Sequence, residues 1–165
     1  MEPKLDEKDF EILNFLQKDC KMTAKAIAQK IDSPVTTVFA KIKRMEELGV
    51  IKGYKAILDS GRLNKETTAF ILASFSYRLE GKGLLSQREI ARQVGSFPEV
   101  QEVHIITGDW DILIKVKEKD VSTIGKFVVD KLRTVRGIEK TLTCMVFDTE
   151  KETTELELPV KHRLL

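Results

Sequence analysis

Residues 23–54 read TAKAIAQKIDSPVTTVFAKIKRMEELGVIKGY, a pattern that predicts two short helices joined by a tight turn. Thr23 can cap the first helix, because its side-chain oxygen can accept a backbone N–H that the helix leaves unpaired. Ser33 followed by Pro34 predicts the start of the second helix, with the serine as its cap. Gly49 predicts the end of that helix, since glycine adopts a left-handed conformation at little cost.

The two sides of the predicted second helix differ in chemistry. The residues expected to face inward are Val38, Ile42 and Met45, supported by Val35, Phe39 and Leu48. The opposite side begins with small residues and continues with cations. Small groups can approach base edges in a DNA major groove, and Lys and Arg side chains can reach the phosphates. The pattern therefore predicts a helix-turn-helix DNA reader. Its candidate DNA contacts are Ser33, Thr36, Thr37, Ala40, Lys41, Lys43, Arg44 and Lys52.

The charge distribution favours this prediction over an ordinary helix pair with a solvated polar face. Residues 33–62 hold six basic and three acidic side chains, whereas residues 1–32 hold six basic and seven acidic ones. The excess positive charge therefore belongs to the proposed DNA-reading half, as expected of a surface that faces phosphates.

Length and composition limit the remaining possibilities. The chain has 165 residues, a formal net charge of +2, 42% hydrophobic and 33% charged residues, which is ordinary for a globular protein of one or two domains. It has no apolar run of membrane-spanning length, and its acidic start is unlike a secretory signal, so we expect a cytoplasmic protein without a membrane partner. Cys20 and Cys144 lack metal-ligand spacing. We therefore expect two buried or half-buried free thiols, with no metal and no cofactor.

A polar, glycine-containing stretch marks the expected domain boundary. It is DSGRLNKET, residues 59–67, which we predict to be a linker. Residues 1–58 precede it as the helix-turn-helix domain. Residues 68–150 follow as a second domain, and residues 151–165 form an edge segment or tail.

The first domain has two further predicted elements. Residues 5–18 form a helix, with Asp6 as its cap and Asp9 as the acid of a shortened capping box. The residues after Gly49 fit a short wing or strand.

In the second domain the pattern changes from helical periodicity to alternation. We predict strands at residues 68–77, 100–107, 112–116 and 138–147, a turn at Gly81 and Gly83, and helices at residues 85–94 and 120–136. The order βαββαβ is that of a ferredoxin-like domain, with two helices on one face of an antiparallel sheet. The fold class is therefore α+β, with an N-terminal, winged helix-turn-helix domain.

Both faces of this predicted sheet are apolar. In the first strand, Ile71 and Phe75 alternate with Phe70 and Leu72, so apolar residues face both sides of the sheet. The second and fourth strands also carry apolar residues on both sides. Helices can cover only one face, and a few isolated apolar residues on the other would need no explanation. Because apolar residues recur on several strands, we expect a second copy of the sheet to cover the second face. A dimer would also place two readers on half-sites about one DNA turn apart.

These residues resemble the Lrp/AsnC, or feast/famine, transcription regulators of bacteria and archaea. The resemblance covers residues 5–148. The motifs that carry it are Thr37, Val38, Ile42 and Met45 followed by Gly49-Val50-Ile51 and Gly53-Tyr54, and later Pro98-Glu99-Val100 and Gly108-Asp109-Trp110-Asp111. It implies dimers that assemble further into octamers or other rings, pseudo-palindromic double-stranded DNA sites near promoters, and a small effector, usually an amino acid, bound through the second domain.

The resemblance also implies where the effector binds. The site would lie where dimers meet, with backbone N–H groups facing a carboxylate and an aspartate accepting from an α-ammonium group. The implied contacts are Gly108, Asp109, Trp110, Asp111, Thr141 and Thr143. A glycine and two aspartates between strands are also what an ordinary hairpin turn needs, and a regulator without an effector is an open alternative.

Two other functions compete with a site-specific regulator. Siroheme decarboxylases pair a similar first domain with a catalytic second one, but we find no nucleophile–base pair, metal cluster or phosphate loop, and the histidines are only His104 and His162. We therefore predict no catalytic residues and no enzyme activity. A non-specific architectural DNA binder would need more net positive charge than this chain carries.

Overall fold

The computed structural model describes residues 4–76 and 85–159. The predicted turn at Gly81 and Gly83, the end of the predicted first strand at Tyr77, and His162 lie outside the described residues. The chain divides into two compact units, Met1–Ile57 with Lys151–Leu165, and Leu58–Glu150. No helix among the described residues is long and apolar enough to cross a membrane.

The first unit contains three helices: α1 (Glu7–Lys18), α2 (Ala24–Lys30) and α3 (Val35–Glu47). Asp6 and Asp9 form the predicted capping box, in which each carboxylate accepts the other residue's backbone N–H at 2.9 Å. Thr23 caps α2 by accepting the N–H of Ala26 at 3.2 Å. Both caps confirm the sequence prediction.

Gly49 ends α3 as predicted. Its φ is +68°, and the N–H groups of Gly49 and Val50 donate to the carbonyls of Glu46 and Met45. This pair of hydrogen bonds is the Schellman motif, which satisfies carbonyls that the end of a helix leaves unpaired. The following residues 52–59 form neither helix nor strand, so the predicted wing is an irregular segment.

Two details of the α3 prediction are corrected. Pro34 occupies the cap position without a side-chain hydrogen bond, and the Ser33 hydroxyl instead accepts from Lys8 Nζ at 3.1 Å. Val35, Phe39 and Leu48 do not support the buried stripe, because they are 45%, 63% and 51% exposed. The apolar stripe of α3 that is fully buried is narrower, and consists of Val38 and Met45.

The core of the first unit is built from all three helices. Its buried residues are Ile12, Leu16, Ile27, Ala28, Val38 and Met45. Outside this core, the C-terminal segment contacts α1 through Gln17. The Gln17 side-chain amide donates to the carbonyl oxygen of Leu156 at 2.9 Å and accepts its N–H at 3.0 Å. The segment at 151–159 has no strand.

The second unit has the predicted βαββαβ order. Its elements are β1 (Thr67–Phe75), α4 (Gln87–Gly95), β2 (Val100–Ile105), β3 (Ile112–Glu118), α5 (Val121–Lys126) and β4 (Ile138–Met145), with a π turn at Phe127–Lys131 and a 3-10 turn at Leu132–Thr134 extending α5. The antiparallel sheet has the order β2-β3-β1-β4. The predicted fourth strand is corrected at its end, since β4 ends at Met145.

One face of this sheet packs against the helices. The β1 side chains that alternate inward are Ala69, Ile71, Ala73 and Phe75. They are buried together with Val94 of α4 and Phe127 of the π turn. On the other face the register aligns Leu72 with Leu113 of β3 and with Leu142 of β4. Leu142 is 47% exposed, so the described residues leave part of this apolar face open. We call the face that carries Phe70, Leu72, Leu113, Leu142 and Cys144 the outer sheet face.

The prediction of buried or half-buried thiols is wrong for both cysteines. Cys20 and Cys144 are free and exposed. Cys20 follows the end of α1, and Cys144 pairs in register with Phe70 on the outer sheet face, which no described element covers.

Candidate nucleic-acid interface and effector site

Five of the predicted DNA contacts lie together on α3. They line one shallow hollow of about 380 Å³, and they are Thr36, Thr37, Ala40, Lys41 and Arg44. Positions three and four apart share a side of a helix, and spacings of three and four connect all five of these residues. The hollow has small side chains at one end and cations at the other, so a base edge could approach the helix while cations reach the backbone.

The other three predicted contacts lie outside the hollow. Lys43 is 65% exposed and 3.8 Å from Glu47, a weak ion pair between successive turns of α3. Lys52 is exposed in the irregular segment after α3. Ser33 precedes the helix and its hydroxyl already accepts a hydrogen bond from Lys8.

An ion network around the buried Asp9 carboxylate lies at the cationic end of the hollow. The Asp9 carboxylate, with no exposed surface, accepts from Lys41 Nζ at 3.0 Å and from Arg44 Nη2 at 3.0 Å. Lys41 Nζ also donates to Asp6 Oδ2 at 2.5 Å, and Arg44 Nη2 donates to the carbonyl of Lys4 at 3.1 Å. Two cationic side chains of α3, Lys41 and Arg44, are therefore held by hydrogen bonds to the start of α1.

The network changes the acidity of its members. Burial disfavours the charged form of Lys41, but hydrogen bonds from its ammonium to Asp6 and Asp9 outweigh that effect and raise the Lys41 pKa. The hydrogen bond from Lys41 lowers the pKa of Asp6 against a smaller opposing effect of burial. Both groups are therefore held charged, and much of the Lys41 charge is neutralised locally.

Sequence reasoning recognised Asp9 only as a capping-box acid. Its contacts with Lys41 and Arg44 span more than thirty positions, 32 and 35 respectively. No local motif encodes such a pairing. The available signal was the pair of acidic residues at the start of one predicted helix and the cations on another.

In the second unit, the turn between β2 and β3 holds four of the predicted effector contacts. Gly108 has φ +115° and is exposed together with Asp109, while Trp110 is half-buried. Asp111 is engaged within the fold: its Oδ2 accepts the Phe75 N–H at 2.7 Å, and its backbone N–H donates to a β1 carbonyl at 3.1 Å. Of the four predicted contacts in this turn, Gly108 and Asp109 are therefore the ones with exposed polar groups.

The two predicted threonines do not join this turn. Thr141 and Thr143 pair with Ala73 and Ile71, so they lie on the helix-covered side of β4. Strand β1 separates β4 from β3, a separation of about 10 Å at the usual strand spacing. The described residues contain no group of three or more His, Cys, Asp or Glu side chains that could hold a metal ion.

Two family models match the chain, one in its N-terminal part and one in its C-terminal part. Residues 5–52 match a family described as winged helix-turn-helix DNA-binding, and residues 73–156 match the Lrp/AsnC ligand binding domain. An uncharacterized HTH-type transcriptional regulator of Pyrococcus abyssi is 39% identical over 148 residues, covering 90% of this chain and 96% of the relative. The HTH-type transcriptional regulator FL11 of Pyrococcus horikoshii is 35% identical, covering 98% of this chain and all of the relative.

Solved structures show the same fold. A transcriptional regulator of Neisseria meningitidis, in complex with L-Met, has a TM-score of 0.86 and 26% identity, over 94% of this chain and 98% of that chain. Escherichia coli AsnC has a TM-score of 0.80 at 20% identity, over 93% and 99% respectively. The fold and the two matched regions define a DNA-binding transcriptional regulator with a ligand-binding domain. The chain belongs to the Lrp/AsnC family, which confirms the resemblance seen in its sequence.

Proposed function

We propose that the exposed side of α3 reads a specific DNA sequence in the major groove. The hollow on that helix carries the proposal, since its small end offers Thr36, Thr37 and Ala40 to base edges and its cationic end adjoins the phosphates. Within the hollow, Arg44 is a stronger candidate for a phosphate contact than Lys41, because 47% of the Arg44 side chain is exposed and only 17% of the Lys41 side chain. Lys43 and Lys52 would supply further phosphate contacts.

We further propose a division of roles between the parts of the chain. Residues 1–58 bind DNA, residues 59–67 act as the linker, and residues 68–150 bind the effector and form oligomers. The outer sheet face supports a homodimer, because its register places Leu72, Leu113 and Leu142 side by side. Such a dimer would read a pseudo-palindrome, and dimers could assemble into octamers or other rings. The expected compartment is the cytoplasm.

The effector is proposed to be an amino acid that binds near Gly108 and Asp109. Exposed backbone N–H groups at Gly108 can face an α-carboxylate, and the Asp109 carboxylate can accept from an α-ammonium group. The Neisseria meningitidis regulator in complex with L-Met supports the choice of ligand class. Asp111 would shape the turn rather than touch the ligand, since its carboxylate already accepts the Phe75 N–H.

The test of DNA reading is selection of tight binders from a random DNA pool at two salt concentrations. We expect an enriched pseudo-palindrome, with weaker discrimination after Thr37→Ala. The matched control is Thr134→Ala, which removes an exposed threonine hydroxyl in the second unit. Equal recovery of all sequences, with binding lost steeply at higher salt, would contradict sequence reading and favour a non-specific architectural binder.

The effector is tested separately, by screening amino acids for a shift in affinity for the selected DNA. We expect one class of amino acid to shift it, and Asp109→Asn to weaken that response without changing DNA binding in the absence of the amino acid. A response unchanged in the Asp109→Asn variant would contradict the proposed site.

A further inference from the structure

The Asp9 carboxylate is an unusual group to find beneath a surface that binds DNA. It has no exposed surface, yet its two oxygens accept three hydrogen bonds. Oδ1 accepts from Lys41, and Oδ2 accepts from Arg44 and from the backbone N–H of Asp6. A carboxylate removed from water requires such partners, and here two of the three hydrogen bonds come from cationic side chains of α3.

We propose that Asp9 is a positioning residue for DNA recognition. It fixes the orientation of the Arg44 guanidinium for a phosphate contact, and its ion pair with Lys41 connects α3 to the start of α1. The inference rests on the function proposed above. Both described side-chain hydrogen bonds of Arg44 are made by Nη2, to Asp9 and to the carbonyl of Lys4. The planar guanidinium has five N–H donors in a rigid fork, so anchoring Nη2 fixes the direction of the Nε–H and Nη1–H donors.

The same geometry assigns a different role to Lys41. Its side chain is only 17% exposed, and its ammonium contacts both Asp6 and Asp9. An ammonium that already faces two carboxylates has little net charge to offer a phosphate. Phosphate binding at this end of the hollow therefore depends on Arg44, and the order of Arg44 depends on Asp9.

Removal of the Asp9 charge gives two opposing effects on DNA binding. Electrostatics alone predicts tighter binding, because the variant loses one negative charge beside a polyanion. Loss of positioning predicts weaker binding, because a mobile Arg44 must be ordered when the phosphate binds. The sign of the change therefore separates a positioning role from a simple contribution to net charge.

The experiment compares Asp9→Asn with Glu47→Gln, both measured on the selected DNA site across a salt series. Glu47 is a matched control, since it lies on α3, is 66% exposed and contacts only Lys43, at 3.8 Å, among the described residues. We expect Asp9→Asn to weaken binding about tenfold for each half-site, as for loss of one well-placed charged contact, and to reduce the salt slope by about one phosphate contact for each half-site. Glu47→Gln should leave affinity unchanged or raise it.

Arg44→Lys supplies a second arm in case Asp9→Asn does not fold, which thermal unfolding would reveal. Lysine keeps the charge but has a single ammonium in place of the fork, so we expect binding to weaken by a similar factor. Equal or tighter binding in Asp9→Asn, or unchanged binding in Arg44→Lys, would overturn the inference while the wild-type protein still selected a site. Wild-type protein that selects no site would instead overturn the proposed function, and the inference with it.

Discussion

Leu72→Asp should dissociate the proposed homodimer. Leu72 lies in β1 at the middle of the outer sheet face, aligned with Leu113 and Leu142 on the flanking strands. Leu72 is already partly buried within one copy, so the larger cost is that of an unpaired aspartate carboxylate held against the partner. At about 1.5–3 kcal/mol in each of the two copies, this cost totals about 3–6 kcal/mol. At 1.4 kcal/mol for each factor of ten, the dimer dissociation constant should rise by about 10² to 10⁴.

Sedimentation velocity over a wide concentration range measures this change. The control is Val129→Asp, which places the same charge in the helical layer at a residue that is already 59% exposed. Circular dichroism and thermal unfolding of both variants check that each still folds. A Leu72→Asp dissociation constant within threefold of wild type, or wild-type protein that stays monomeric at every concentration, would refute the proposed interface.

Three further predictions concern stability. Gly137→Ala should lower the free energy of unfolding by about 2–5 kcal/mol, since φ is +96° and an added Cβ would lie 2.9 Å from a Phe75 ring carbon. Gly125→Ala is the control and should not lower it, because the space around Gly125 is open. Equal denaturant midpoints for the two variants would contradict this prediction. Gln17→Ala should release the C-terminal segment from α1, seen as faster amide exchange in that segment; unchanged exchange would show that the contact contributes nothing. Asp6→Asn should reduce the loss of stability in acid. The Asp6 pKa is lowered from its ordinary 3.8 in the folded protein, so the contribution of Asp6 to stability is present above pH 3.8 and is lost as pH falls through the lowered pKa. Parallel stability–pH curves for wild type and Asp6→Asn would contradict this contribution.

The helix ends could be predicted from sequence because their chemistry is local. The Asp6–Asp9 box and the Thr23 cap each act over three residues, and Gly49 ends α3 with hydrogen bonds to the preceding turn. The order of strands and helices followed from periodicity in the same way. Ser33 is the exception, since Pro34 takes the cap position and Lys8, distant in sequence, takes the serine oxygen.

The parts that the sequence did not predict depend on tertiary contacts. Phe39 has helical spacing consistent with the core, but the α1 and α2 side chains cover only a narrow stripe of α3, so it is exposed. The pairing of Asp9 with Lys41 and Arg44 depends on how α1 and α3 pack. The hydrogen bond from the Phe75 N–H to the Asp111 carboxylate likewise joins residues that are distant in sequence.

The central claim is that α3 reads bases in the major groove of a two-fold symmetric site. Methylation interference on the selected DNA tests it most directly, because methylation of guanine N7 blocks contacts in the major groove. We predict two patches of interference with centres about one helical turn apart, and therefore on the one side of the duplex that faces the dimer. Interference absent from the major groove, or spread evenly along the duplex, would contradict the account.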